Sequence, residues 1–407
     1  MFFKKIISVI APFIKFILNL FFIPIVLLIK LLHPIYPVRL GTFLADRVGH
    51  FVEDSGHLLA EKYLTETKKS LDLFYIQGPI CNQQVKLMIK RSFHVYWWVK
   101  FLIGANKMLP NWQLNYLKMP KEVGYLDNQG LYWQTKDIPK AYLQFIRKEE
   151  IKGNNFLENI GLRSGDKFIC LIVRDSAYLE SHAANYMDWG YHDFRDSNID
   201  TYNDAVKTLI DKGYWVFRMG KNVKKPLSFK HDRVIDYPYH PDRSDLLDIW
   251  LVVNAYYTIS NSTGLDAVAE AFRRPVLYLN AMTHADFRSA QNCLWAPKHL
   301  KWVKSKKYLT LKETLCNNYR YANEYSNKGI EVVDLLSSEI KTITLEMESR
   351  LDGSWKYLNH EESDQLRYKS ILYKWPGDTF YHSYVNKKAR ISSCYLESNP
   401  RYLSENF

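Results

Sequence analysis

Ser260, Asn261, Ser262, Thr263 and Gly264 interrupt an apolar run that ends at Ile259, and Asp266 follows them at the start of a helical spacing carried by Leu265, Val268, Ala269 and Phe272. Small hydroxyl side chains and a glycine let the backbone approach a ligand closely, and free amides at a helix start favour an anion such as a diphosphate. An ordinary strand–turn–helix crossover would use Ser262 or Thr263 only as a cap. Three other clusters give this turn chemical company. Arg174 and Asp175 end an apolar run, His192, Asp193, Arg195 and Asp196 concentrate charge in one polar loop, and Arg218, Met219, Gly220 and Lys221 close a further apolar run, with Tyr237 after the next. Arginine and lysine side chains at such tips can neutralise a departing diphosphate. Earlier in the chain, His50 with Glu53 and Asp54 one turn on is an imidazole beside carboxylates, suited to take a proton from a hydroxyl. A capping or packing role for His50 is the alternative.

The elements that must position these residues are most legible in the second half. Continuously apolar residues 167–173 read as a strand covered on both faces. A helix over 201–212, strands over 214–217 and 233–236, a helix over 245–253 and the strand–turn–helix–strand unit 257–280 follow, an alternation that builds a doubly wound sheet with ligands at the strand tips. The first half alternates more weakly. It predicts a strand at 38–44, a loop carrying His50, a helix from His57, a strand at 73–76, one long helix over 83–103, an unperiodic stretch over 109–140, a helix over 141–151 and a turn-rich connector over 153–166. Late helices are expected at 309–319 and 337–351, the latter as a crossover back to the first domain, and the aromatic, basic stretch from Asp352 is expected to be a flexible or surface-packing tail. The resulting divisions are 1–36, 37–158, 159–335 and 336–407.

The 407 residues suffice for two full cores, and the net charge of +12 points to an anionic partner: a nucleotide diphosphate, an acidic membrane surface or, last, nucleic acid, for which no common module is present. The five scattered cysteines, without a CxxC pair, fit a reducing compartment and neither a disulfide framework nor a zinc site. From Ile6 to Leu32 the chain is apolar but broken by Pro12, Lys15, Asn19, Pro24 and Lys30. This segment is read as a monotopic or re-entrant anchor on the cytoplasmic side rather than a true span or a signal peptide.

Several enzyme signatures are missing. No G-x-G-x-x-G follows a strand, and there is neither a P-loop nor a G-x-S-x-G elbow. No two aspartates are separated by a single residue, so the short metal-holding motif of many nucleotide-sugar enzymes is absent and metal-independent chemistry is expected.

ISNSTGLDAVAEAFRRPVLYLN resembles the donor-site signature of lipopolysaccharide heptosyltransferases, with Ser262 where that turn usually has aspartate. Together with HDFRDSNIDTY, RVGHF and ARISSCYLESNPRYL, it is similar to bacterial glycosyltransferases of surface-polysaccharide gene clusters. The resemblance implies an α/β chain of GT-B type, two Rossmann-like doubly wound domains facing across a cleft, behind an N-terminal membrane-associated segment. It implies a nucleotide-sugar donor on the second domain and the acceptor on the first; with the N-terminal segment this gives a lipid-linked or polysaccharide acceptor at the cytoplasmic face of the inner membrane, and no cofactor is expected. Arg174, helped by Arg195, Lys221 or the amides of 262–264, would hold the diphosphate. His50, or failing it Asp54, would be the base, with Arg218, Met219, Gly220 and Tyr237 near the nucleoside. A non-catalytic nucleotide-sugar-binding protein of the same fold, and an epimerase or hydrolase acting on the nucleotide sugar, are the other readings.

Overall fold

The computed structural model describes residues 2–64, 70–119, 141–177, 190–282, 292–319, 321–374 and 388–404. Its contacts gather into two units, residues 1–125 with 142–144, and residues 126–141 with 145–407.

The first unit opens with helix α1 (Phe2–Leu32) and carries a parallel sheet of four strands, β1 (Val38–Leu44), β2 (Leu71–Gln77), β3 (His94–Val95) and β4 (Tyr116–Leu117), in the order β3-β2-β1-β4. β1 and β2 run in register from Val38 opposite Leu71 to Leu44 opposite Gln77, and Arg39 on β1 grips Asp72 on β2 through Nε at 2.7 Å. Gly41 is required here: a Cβ would lie 2.6 Å from the Phe74 ring. Without one, the Phe74 ring stacks on Phe43 with centroids 4.7 Å apart.

Two expectations change in this unit. The residues around His50 are not a loop, because α2 already begins at Val48 and runs to Leu64, so that Phe51, Val52, Ser55 and Leu58 form its buried face. The long helix expected over 83–103 is broken into α3 (Gln83–Ser92) and α4 (Val99–Lys107). Phe93 is drawn out into extended backbone, and its ring packs edge-on against Phe43 and Phe74, each 5.1 Å away. The residues after it pair with β2 instead of continuing the helix, as aromatic and β-branched residues on a half-buried surface prefer. Of the unperiodic stretch 109–140, a 3-10 turn at Trp112–Asn115 and β4 are seen, and residues 120–140 lie outside the described residues.

The second unit begins with α5 (Arg147–Asn159), a helix that runs through residues expected to be a connector, while 141–146 are not helical. It packs on α7 (Asp245–Asn254): Trp250 lies against Gly153, where a Cβ would meet the indole at 2.1 Å, and its Nε1 donates to Glu150 at 2.7 Å. That contact ties 147–159 to the second core, although the sequence grouped it with the first. Around it stand β5 (Phe168–Ile172), α6 (Asn203–Asp211), β6 (Trp215–Arg218), β7 (Val234–Asp236), β8 (Thr258–Ser260), α8 (Asp266–Ala271) and β9 (Val276–Ala281), close to their expected places. With β10 (Cys293–Pro297) and β13 (Arg390–Ile391) they complete a wholly parallel seven-stranded sheet, ordered β13-β10-β9-β8-β5-β6-β7. Strand order reverses at β5, as it does at β1 in the first unit. The α/β class with two Rossmann-like units is therefore the fold of this chain.

The remaining elements are a small antiparallel pair, β11 (His299–Trp302) and β12 (Ile330–Val333), and the helices α9 (Leu311–Cys316), α10 (Ala322–Asn327), α11 (Ser337–Asp352), α12 (Glu361–Lys374) and α13 (Ser393–Ser398). α11, expected to cross back to the first domain, packs against α6 and α13 of its own unit. Among the described residues, the carboxyl-terminal stretch is not a surface tail. β13 closes one edge of the large sheet, and the Gln365 side chain of α12 bonds both the N–H and the carbonyl of Ile391. The buried Glu346 carboxylate of α11 accepts from Ser392 Oγ and the amides of Ser393 and Cys394. β13 pairs the outer side of β10, and Gln365 in turn covers the backbone of Ile391 at the new edge.

Candidate functional site

Open α/β sheets bind ligands beyond the carboxyl ends of the strands where strand order reverses, and here that point lies between β5 and β8. The side chain of Asn261, just past β8, is fully buried and staples three segments together. Its Oδ1 accepts from the Arg174 amide past β5 at 2.9 Å, and its Nδ2 donates to the Arg195 carbonyl at 3.0 Å. Arg195 returns the contact, its guanidinium donating to the Ser262 carbonyl at 3.0 Å. The 3-10 segment Gly190–Arg195, which contains His192 and Asp193, is thus fixed beside both strand tips. Asp193 is exposed, and the His192 side chain lies outside the described side chains.

Arg174 is the centre of this cluster. Its Nε lies 3.0 Å from Asp196 Oδ1, with both side chains mostly but not wholly covered. Burial pushes the Asp196 carboxyl up to about 6, against the pull of Arg174 and with help from Asp193 and Asp175. Asp175 faces the other way, accepting from the Ala177 amide at 3.0 Å and the Lys224 amide at 2.8 Å, which holds the loop after β6 against the tip of β5.

The Ser260–Asp266 turn departs from expectation. The amide of Thr263, expected to face an anion, donates instead to Asp266 Oδ2 at 2.6 Å, and the Ser260 hydroxyl donates to the same oxygen at 2.7 Å. A carboxylate of the chain itself thereby fills the place near that amide. Ser262 adopts φ 64°, a left-handed conformation costly for a serine, and its hydroxyl is buried without a hydrogen-bond partner among the described residues. Gly264 is exposed at the apex. Positive charge at this turn is accordingly carried by side chains, Arg174 and Arg195 among them.

The residues expected near the nucleoside divide. Arg218 is 1% exposed and bonds Asp236 at 3.1 Å across β6 and β7, so it belongs to the core. Met219 and Tyr237 are equally buried, and the Tyr237 hydroxyl accepts from the Ser244 amide at 3.1 Å. Their side chains cannot line an open pocket. Gly220, with φ 154°, and the half-buried Lys221 stay at the surface of the tip, and Arg243 Nε reaches the Gly220 carbonyl at 3.4 Å.

One member of the cluster escaped the sequence reading. Lys298 follows β10, is almost wholly buried, contacts Asp334 at 2.6 Å and donates to the Asp196 carbonyl at 2.5 Å. Burial pulls its ammonium below the usual lysine range. A charged residue at the end of the apolar CLWAP run is the same signal that marks Arg174, but the run is short and unflanked by helical spacing, so it does not declare itself a strand. In the first unit, His50 stands half-buried in the first turn of α2, and Asp54, buried, follows at i+4 on the same helix face.

No protein-family model matches the chain, and no curated protein does. Solved structures similar to it include heptosyltransferase II of E. coli, 11% identical, covering 64% of this chain and 90% of that one at a TM-score of 0.37. A glycosyl transferase of family 9 from Veillonella parvula is 10% identical over 63% and 85% of the two chains, with a TM-score of 0.41. A UDP-N-acetylglucosamine 2-epimerase is 12% identical over 79% and 97%, with a TM-score of 0.26.

Proposed function

We propose that the protein is a glycosyltransferase that moves a sugar from a nucleotide-diphosphate sugar to a lipid-linked or cell-surface polysaccharide acceptor at the cytoplasmic face of the inner membrane. The observation that carries the proposal is the joining of Arg174 and Arg195 through Asn261 at the point of strand reversal. Asn261 holds the backbones of both residues there, and their guanidiniums, which rest on Asp196 and the Ser262 carbonyl, suit a diphosphate, which arginine binds through paired, charge-assisted hydrogen bonds. In the reaction the acceptor oxygen bonds the anomeric carbon, the bond from that carbon to the diphosphate oxygen breaks, and the electron pair leaves with the nucleotide. The acceptor proton passes to a base, assigned to His50 with Asp54 beside it on α2. The side-chain cations stabilise the developing negative charge, and we assign the reaction no divalent metal because the sequence lacks the spaced aspartate pair that would hold one.

Thermal unfolding against a panel of nucleotide sugars tests the donor assignment, since a ligand of the native state alone raises the midpoint. One or more donors should stabilise the protein, and indifference to all of them would overturn the reading. Incubation of the stabilising donor with and without a lipid-extract acceptor then separates reaction classes. Transfer requires the acceptor; an altered or hydrolysed sugar nucleotide formed without one would install an epimerase or hydrolase in its place. Turnover should be unchanged by a chelator.

A further inference from the structure

Helix α1 has two unlike sides. On one, Phe22, Ile23, Val26 and Ile29 join Val99, Leu102 and Ile103 of α4 in a single apolar cluster, and Phe22 stacks on Phe101 with centroids 5.7 Å apart. Asn19 fits against Gly104, where a Cβ would come within 2.4 Å of its amide group, and Lys30 Nζ donates to the carbonyls of Pro110 at 2.9 Å and Asn111 at 3.2 Å. At about 100° per residue, Lys15 projects to this same side, and His33, just past the helix, meets Asn115 Nδ2 at 3.0 Å. The opposite half of the helix is apolar throughout: Phe13, Ile17, Leu20, Phe21, Leu28 and Leu31 are exposed, Phe21 and Leu31 by 74% and 75%. Over some 20 residues this makes a stripe about 30 Å long.

We propose that this half-face lies in the plane of a bilayer containing anionic phospholipid, so that α1 docks the first unit on the membrane without crossing it. By length and composition Pro12–Leu32 could span. Its packing favours an in-plane placement instead: between Asn19 and Lys30 one side of the helix is held on α4, which itself packs on β1 and β2. The edges of the stripe identify the occupant. In the turn before α4, Trp97 is 69% exposed, with Lys100 Nζ of α4 5.8 Å from its ring and 4.8 Å from that of Phe101. Lys107 lies 5.5 Å from the Trp112 ring, in the segment that Lys30 holds. Tryptophan beside lysine suits the headgroup layer, where the ring is half-wet and the ammonium meets lipid phosphate, whereas the centre of a protein–protein interface is depleted of lysine. The inference stands independently of the reaction assigned to the second unit.

Flotation of the full chain with vesicles of phosphatidylcholine, alone or with phosphatidylglycerol, is the test. Binding is expected to be stronger by about tenfold with the anionic lipid and to weaken with salt. Lys100→Gln with Lys107→Gln should remove that preference, and Phe21→Glu with Leu28→Glu and Leu31→Glu should abolish flotation at an unchanged thermal midpoint. Fluorophores on Phe13→Cys, Phe21→Cys and Leu31→Cys, each in a Cys316→Ser background, should be quenched by brominated lipid at one shallow depth. A graded depth, deepest at residue 21, would overturn the in-plane arrangement and install a span. Indifference to vesicles would overturn the lipid, and a two-chain mass lost in the triple glutamate variant would then assign the stripe to a second copy.

Discussion

Arg174 is bound on one side by Asp196, and for the proposed donor site this pairing predicts an affinity that depends on pH. The Asp196 carboxyl is pushed up to about 6 by burial, so it is mainly ionised at neutral pH and competes with a ligand phosphate for the guanidinium. A bound diphosphate raises it further by like-charge repulsion, so proton uptake and donor binding assist one another. Affinity measured by calorimetry should therefore rise as pH falls through about 6, and Asp196→Asn should flatten that profile. The phosphates of a diphosphate diester do not titrate there. Arg174→Ala should weaken donor binding by about 10- to 100-fold, the loss of a charge-assisted contact of roughly 1.5–3 kcal/mol. An unaltered dissociation constant would remove Arg174 from the site. His50→Ala should lower turnover while leaving the donor constant unchanged, because the base acts on the acceptor.

At the scale of elements, α5 and α7 meet through a contact that local periodicity could not reveal. Gly153 is the place where the Trp250 indole passes, and a methyl group there would overlap it at 2.1 Å. Gly153→Ala gains up to about 1 kcal/mol of helix propensity but incurs overpacking of about 1–3 kcal/mol. Net destabilisation in urea unfolding is the expected result; a more stable variant would show that the indole can move aside. The same reasoning explains the sequence reading of residues 153–166 as a connector: Gly153, Asn154 and Asn155 are poor helix formers, and tertiary packing overrides them. Likewise Phe93 to Tyr96 fit helical spacing but are claimed by the edge of the first sheet and by the Phe43–Phe74 stack.

Across the whole molecule, the second sheet owes its far edge to residues nearly a hundred positions beyond β10. Glu346 bonds Arg350 at 2.8 Å as well as the start of α13, and Arg350 in turn reaches Glu361 at 2.6 Å. Glu346→Ala leaves the Ser392 hydroxyl and the amides of Ser393 and Cys394 without this acceptor, while Arg350 keeps Glu361, and a loss of about 1–3 kcal/mol in unfolding free energy is expected. A loss below about 1 kcal/mol would mean that the terminal segment docks without this network.

The sequence by itself determined the α/β alternation of the second half and the polar tips after β5, β6 and β8, because buried parallel strands are continuous apolar runs and their ends must turn polar. It also marked α1 as apolar without saying which side was covered. Only the tertiary structure decided that Arg174, Arg195 and Lys298 share one place, since strand order is a long-range property. It alone withdrew Arg218, Met219 and Tyr237 into the core, and turned the amide of Thr263 inward onto Asp266. Side-chain type shows that a residue can bind an anion, but burial and partners decide whether it is left able to do so.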